Sequence, residues 1–259
     1  MPMSFGICTL SIVPCRKEPS GASEMVTQLL FGETYTIVQD GEDWLQIRTN
    51  YDNYLCWISA KQHTKLSASD LETMNSFIVS SELVQVISGI DRNVIFPLTV
   101  GATLPNYLNG KLKCGDSDFL FEGSVIDSSL KRPITDIKET AYLFLNAPYL
   151  WGGRSPFGID CSGFVQVVFK LNGYKLPRDA SQQVEIGTPL SFVEEAQPGD
   201  LAFFDNEEGH IVHVGIVLEN QQIIHASGCV RIDKFDHYGI FHSDNKKYSH
   251  MLRVIKKIV

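Results

Sequence analysis

The stretch Ala147-Pro148-Tyr149-Leu150-Trp151-Gly152-Gly153-Arg154-Ser155-Pro156-Phe157-Gly158-Ile159-Asp160-Cys161-Ser162-Gly163-Phe164 changes texture at Asp160. Before it, glycines and prolines mark a loop. After it, Phe164, Val165, Val168, Phe169 and Leu171 recur at helical spacing, and Gly173 is placed to stop the helix. Asp160 has the side chain of an N-cap. The spacing predicts a buried helix whose first turn holds Cys161. Unpaired N–H groups and the positive dipole end favour an anion there, so the thiol pKa is expected to fall and the thiolate to be the nucleophile. The same N–H groups suit a tetrahedral oxyanion. A cysteine in this place can equally be an inert core residue, so position alone does not decide.

A thiol hydrolase needs a base, and two histidines downstream offer one. Ile211-Val212-His213-Val214-Gly215-Ile216-Val217-Leu218 reads as a buried strand, Glu219-Asn220-Gln221-Gln222 as a turn, and Ile223-Ile224-His225-Ala226-Ser227 as the returning strand. A loop centred on residue 219 sets His213 opposite His225 on one face. A slip of one residue would split them between faces unless a bulge compensates. Gly215 shares that face and leaves space beside the imidazole. In this reading His213 takes the thiol proton and later protonates the leaving amine, while His225 orients the His213 ring. The same three side chains, Cys161, His213 and His225, are also a possible zinc set for a zinc-dependent hydrolase. His210 and His213 look metal-like, but residues three apart on a strand face opposite ways.

Working outward, the first half reads as β. Thr34–Val38, Trp44–Arg48 and Tyr54–Ile58 are short apolar runs split by turn residues, with Leu45 and Ile47 on one face. Phe77–Val79, Leu83–Ile87, Val94–Phe96 and Phe119–Phe121 repeat the texture. A polar stretch, Asp127 to Pro133, then leads to a helix signal in Ile137, Ala141, Phe144 and Leu145, with Asp136 and Glu139 as a capping pair. Three domains follow: residues 1–62 and 63–128 as small β-barrels, and residues 129–259 as an α+β domain.

The 259 residues carry a net charge of -8. That argues against a general nucleic-acid binder and against adhesion to anionic membranes. No run of 18 or more apolar residues suggests a membrane span. The N-terminus has no basic residue before its apolar stretch, so the chain as given reads as cytoplasmic, or periplasmic if a leader was removed before this numbering. The six cysteines form no CxxC pair and no small disulfide framework.

Asp160-Cys161-Ser162-Gly163-Phe164, Pro198-Gly199-Asp200-Leu201 with Phe203-Phe204, His213-Val214-Gly215-Ile216, Ile224-His225-Ala226 and Pro148-Tyr149-Leu150-Trp151-Gly152-Gly153 resemble, in order, the motifs of the NlpC/P60 cysteine peptidases. Gly32-Glu33, Asp43-Trp44-Leu45 and Asp52-Asn53-Tyr54-Leu55-Cys56-Trp57-Ile58 resemble bacterial SH3 domains, with Cys56 replacing the more usual Gly. The layout is similar to γ-D-glutamyl-L-diamino acid endopeptidases with two SH3 domains. That resemblance implies a papain-like α+β catalytic domain after two SH3-like barrels, no cofactor, and a murein peptide such as L-Ala-γ-D-Glu-diaminopimelate as substrate. It implies that Asp160 binds the free amine of L-Ala, that Ser162, Tyr149 and Ser181 line the subsite, and that Tyr54 and Glu33 close it. Cell-wall peptide recycling is then the expected role, and wall-anchored hydrolysis of intact murein the alternative.

Overall fold

The computed structural model describes residues 4–90, 94–242 and 246–258. Their contacts form two units. The first is Met1–Leu130 with Trp151–Pro156, and the second is Lys131–Leu150 with Phe157–Val259.

In the first unit seven antiparallel strands follow the order Met25–Leu30, Ile12–Arg16, Leu55–Ser59, Trp44–Thr49, Thr34–Gln39, Ser4–Ile7 and Thr64–Leu66. Alternation places Leu45 and Ile47 inside, with Val13, Leu29, Tyr35 and Ile58. Cys56 lies in this core against Cys15, so the unusual cysteine fills space beneath the sheet. Four more strands follow the order Val94–Thr99, Val84–Gly89, Ser117–Leu120 and Lys111–Cys114. A second core joins both lobes: Ile7, Phe31 and Leu66 pack with Ile87, Leu98, Phe119 and Phe121.

In the second unit the helix Cys161–Leu171 is buried along its whole length. A helix with no exposed side has no need of an amphipathic stripe. Its end is a Schellman motif. Gly173 has φ +81°, its N–H donates to the Lys170 carbonyl, and the Tyr174 N–H donates to the Phe169 carbonyl. The rings of Phe169 and Tyr174 complete it with an edge contact at 5.9 Å. The expected helix through Leu145 with a capping pair is not found. The helix runs Ile134–Tyr142 from Pro133, no side chain caps it, and Asp136 instead pairs with Arg132 at 3.5 Å. Pro133 cannot follow an αR residue comfortably and fixes the start, and the chain beyond Tyr142 tightens toward Asn146, at φ +65°.

Six antiparallel strands close a ring beside the Cys161 helix. Lys247–Lys257 pairs with Leu201–Asp205, then come Ile211–Leu218, Gln222–Ser227, Cys229–Asp236 and Gly239–His242, which pairs back with Lys247–Lys257. Ala202, Phe204, Val217, Ile223, Phe235, Ile240 and Ile255 form an apolar cluster of this ring. The Cys161 helix packs on the strands Ile211–Leu218 and Gln222–Ser227.

Candidate active site

Asp160 caps the Cys161 helix as the sequence implies, accepting from the Gly163 N–H at 2.7 Å. It has a second partner that sequence reasoning missed. Arg178 donates to both of its carboxylate oxygens, at 3.0 and 2.6 Å, and to Ser162 Oγ at 2.9 Å. Asp160, Ser162 and Arg178 are all buried. Gln183 donates from its side chain to the Ser162 carbonyl at 3.0 Å, which ties the segment after Arg178 to the helix start.

Cys161 is 6% exposed. Burial, then the charge of Asp160, push its thiol up to about 12. The Val214 N–H, Arg178 and the Ser162 N–H pull the other way without compensating. The expected lowering at the helix start is therefore overturned. Partial charges at a helix end are worth about 1 kcal/mol, less than removing a thiolate from water. The Val214 contact also locates the sulfur, beside the backbone that carries His213.

The two histidines meet, though not in the register expected. The hairpin pairs Gly215 with His225 and Leu218 with Gln222, so it centres on residue 220. Asn220 and Gln221 lie at φ +57° and +56°, consecutive left-handed residues of a tight hairpin turn. Moving the centre by one residue moves the partner by two, which keeps the face. His213 therefore lies diagonal to His225, with Nε2 2.8 Å from His225 Nδ1. Gly215 makes this possible: a Cβ there would fall 2.9 Å from His225 Cβ.

Three further groups surround the pair. His225 Nε2 lies 3.1 Å from Asp233 Oδ2. Arg231 contacts the same carboxylate at 2.7 Å from Nε and 2.9 Å from Nη2. His250 stacks on His213 with ring centroids 4.0 Å apart and planes 23° apart. Burial, His250 and His225 hold His213 well below the ordinary histidine range. Burial also lowers His225, despite Asp233, and lowers His250 to about 4. Burial opposes ionisation of Asp233, but the hydrogen bonds from His225 and Arg231 outweigh it and keep its pKa below the usual carboxylate value.

This geometry does not suit the zinc alternative. His213 and His225 turn nitrogens toward each other, and the second nitrogen of His225 faces Asp233. Among the described residues no group of three His, Cys, Asp or Glu side chains is placed to hold a metal ion.

Of the other expected residues, Tyr149 is near Cys161. Burial, then Cys161 and Asp160, push its hydroxyl up to about 12, so it stays protonated. Ser181 is exposed on the short helix Ala180–Gln183. Tyr54 and Glu33 belong to the first unit. Tyr54 packs half-buried against the barrel core. Both oxygens of Glu33 are taken by Arg154, at 2.7 and 3.0 Å, and Glu33 also accepts from the Leu30 N–H.

Arg178 lies only three residues before Ser181, but no local pattern pairs it with Asp160. Asp233 had a local signal: a turn centred on Gly228 puts Arg231 opposite His225, with Asp233 two residues on along the same face. His250 had none, since it arrives from a strand distant in sequence.

Residues 146–249 match the model of the NlpC/P60 family. Residues 15–62 match that of the bacterial dipeptidyl-peptidase SH3 domain. The γ-D-glutamyl-L-lysine dipeptidyl-peptidase of Bacillus subtilis (strain 168) is 29% identical over 236 residues, 86% of this chain and 75% of that protein. Dipeptidyl-peptidase 6 of Lysinibacillus sphaericus is 28% identical over 232 residues, 81% of this chain and 83% of that protein. The crystal structure of an NlpC/P60 family protein from Bacillus cereus ATCC 10987 shares the fold, with a TM-score of 0.83 at 20% identity over 98% of this chain and 99% of that one. No helix of the described residues is long and apolar enough to cross a membrane. The chain carries an NlpC/P60 cysteine peptidase domain with a bacterial SH3 domain ahead of it.

Proposed function

We propose that the chain hydrolyses the bond between γ-D-Glu and a diamino acid in murein stem peptides whose L-Ala has a free amine. Cys161 is the nucleophile, His213 the base and His225 the group that orients His213. The observation that carries this reading is the 2.8 Å contact between the two imidazoles beside the strand backbone that contacts the Cys161 thiol. The relatives' names, which specify a γ-D-glutamyl-L-lysine bond and release of a dipeptide, support the substrate class.

A raised thiol and lowered imidazoles favour a neutral resting pair. Proton transfer to His213 then accompanies attack of sulfur on the D-Glu side-chain carbonyl. His213 returns the proton to the departing amine, and water releases the acyl group by the same base. The N–H groups at the helix start suit the oxyanion. Asp160, Ser162 and Tyr149 line the end that receives L-Ala. Ser181, Tyr54 and Glu33 enter only by resemblance, and Glu33 is occupied by Arg154.

A free amine on L-Ala exists only after the peptide has left the glycan, so the substrates are soluble fragments and the role is recycling. Mass spectrometry of L-Ala-γ-D-Glu-L-Lys and L-Ala-γ-D-Glu-diaminopimelate after incubation tests this. Release of L-Ala-D-Glu is expected from at least one peptide, and its loss in Cys161→Ala. No cleavage of either peptide by the wild type, or clearing of intact sacculi, would overturn the reading.

A further inference from the structure

We propose that Asp233, held by Arg231, is a positioning residue that sets the tautomers of His225 and His213 and so points a lone pair of His213 at the thiol. The inference rests on the assignment of Cys161, His213 and His225 just made. It follows from counting protons along one chain of contacts.

Asp233 is buried and stays ionised, so its oxygens only accept. His225 Nε2, 3.1 Å away, must therefore carry a proton and donate it. A neutral imidazole has one N–H, so His225 Nδ1 is an acceptor. His213 Nε2, 2.8 Å from it, must then be the donor. That leaves His213 Nδ1 unprotonated, the nitrogen a base needs. Without an acceptor-only group at the far end, the order can reverse. His225 would carry its proton on Nδ1, His213 Nε2 would accept it, and the His213 proton would sit on Nδ1, where it blocks the base. The energetics resemble those of any buried orienting carboxylate, where the wrong tautomer costs orders of magnitude in rate.

Arg231 defines how Asp233 acts. Its Nε and Nη2 engage both carboxylate oxygens, which fixes the carboxylate and offsets its charge. Asp233 therefore works through the direction of its hydrogen bond more than through its field. The surroundings agree, because His225 and His213 both stay below the ordinary histidine range despite the nearby acid. The groups facing the pair are Arg231 and Asp233 on one neighbouring strand, His242 near His225, and His250 and Phe204 against His213. His250 is itself held neutral. None of these can replace Asp233 as an obligate acceptor at His225 Nε2.

The direct test is nitrogen NMR of the full chain with labelled histidine near pH 7. His225 and His213 should both carry the proton on Nε2, and a wild-type His225 protonated on Nδ1 overturns the proposal without any variant. Asp233→Leu is close to isosteric and removes the Oδ2 acceptor that His225 Nε2 and Arg231 Nε share. It should move at least one histidine proton to Nδ1 and lower kcat by about 100-fold or more, with KM changed less than about twofold. Asp233→Glu should recover part of the rate and the wild-type tautomers. Full activity with unchanged tautomers in Asp233→Leu sinks the inference while leaving the triad assignment intact. Undiminished cleavage by Cys161→Ala sinks the assignment itself, whatever Asp233 does.

Discussion

Each unit buries an arginine against a carboxylate, and the two pairs are built alike. Arg154 grips both oxygens of Glu33 in the first unit, and Arg178 grips both oxygens of Asp160 in the second. What differs is the next bond along. Glu33 accepts from the Leu30 N–H and so ties down a turn of the barrel. Asp160 accepts from the Gly163 N–H and so caps the helix that starts with Cys161. One pair anchors backbone, while the other does the same and also places a fixed charge beside a nucleophile. The cysteines repeat the lesson. Burial raises Cys8 and Cys114 as it raises Cys161. A high thiol pKa therefore marks enclosure, and reactivity has to be sought in the neighbours. Cys161 has the Val214 and Ser162 N–H groups and an imidazole-bearing strand beside it.

The comparison breaks most visibly if either arginine is removed. Arg154→Met and Arg178→Met each strand a buried carboxylate, and each should cost about 3–5 kcal/mol in denaturant unfolding. A loss below about 1 kcal/mol for one alone would show that the pairs are not equivalent. Gly215→Ala is next. Its Cβ would press on Ile223 and His225, so about 1–3 kcal/mol of stability and most activity should be lost. Gly21→Ala in the first unit meets nothing within 4 Å and should stay within about 0.5 kcal/mol.

Acid should separate the units further. The unfolded chain binds a proton at each histidine near pH 6.5, whereas folded His250 does so only near 4. Its contribution is therefore intact above about pH 6.5 and is lost as pH falls toward 4, with a slope of up to about 1.4 kcal/mol per pH unit. His213 and His225 act in the same direction. His250→Phe keeps an aromatic stack on His213 and should flatten that acid limb in pH-dependent melts. The smallest effect sharpens the original comparison. Asp160→Asn removes a charge that raises the thiol, so the pH profile of Cys161 alkylation should move to lower pH. Glu33→Gln should leave that profile in place.

The elements near the site were legible because they depend on local chemistry. The loop-to-helix change at Asp160, the Gly173 stop and the strand Ile211–Leu218 are set by capping, conformational freedom and apolar patterning within a few residues. The hairpin centres one residue beyond the position its sequence suggests, because nothing in Glu219-Asn220-Gln221-Gln222 announces that Gln221 will also take a left-handed conformation. The helix at Ile134 was displaced because an acidic pair resembled a cap that Pro133 makes unnecessary. Arg178 and His250 could not be placed from pattern at all. Their partners are 18 and 37 residues away along the chain, in Asp160 and His213, and a long-range contact leaves no periodic trace.

Because Lys247–Lys257 lies between Leu201–Asp205 and Gly239–His242, every strand of the catalytic ring has a neighbour on both sides. Among the described residues no strand of the ring is a free edge strand, which disfavours edge-to-edge association with another copy. If that last strand frays, the ring gains two open edges and His213 loses its stacked cover in the same event. Self-association and loss of activity should then arise together on mild heating.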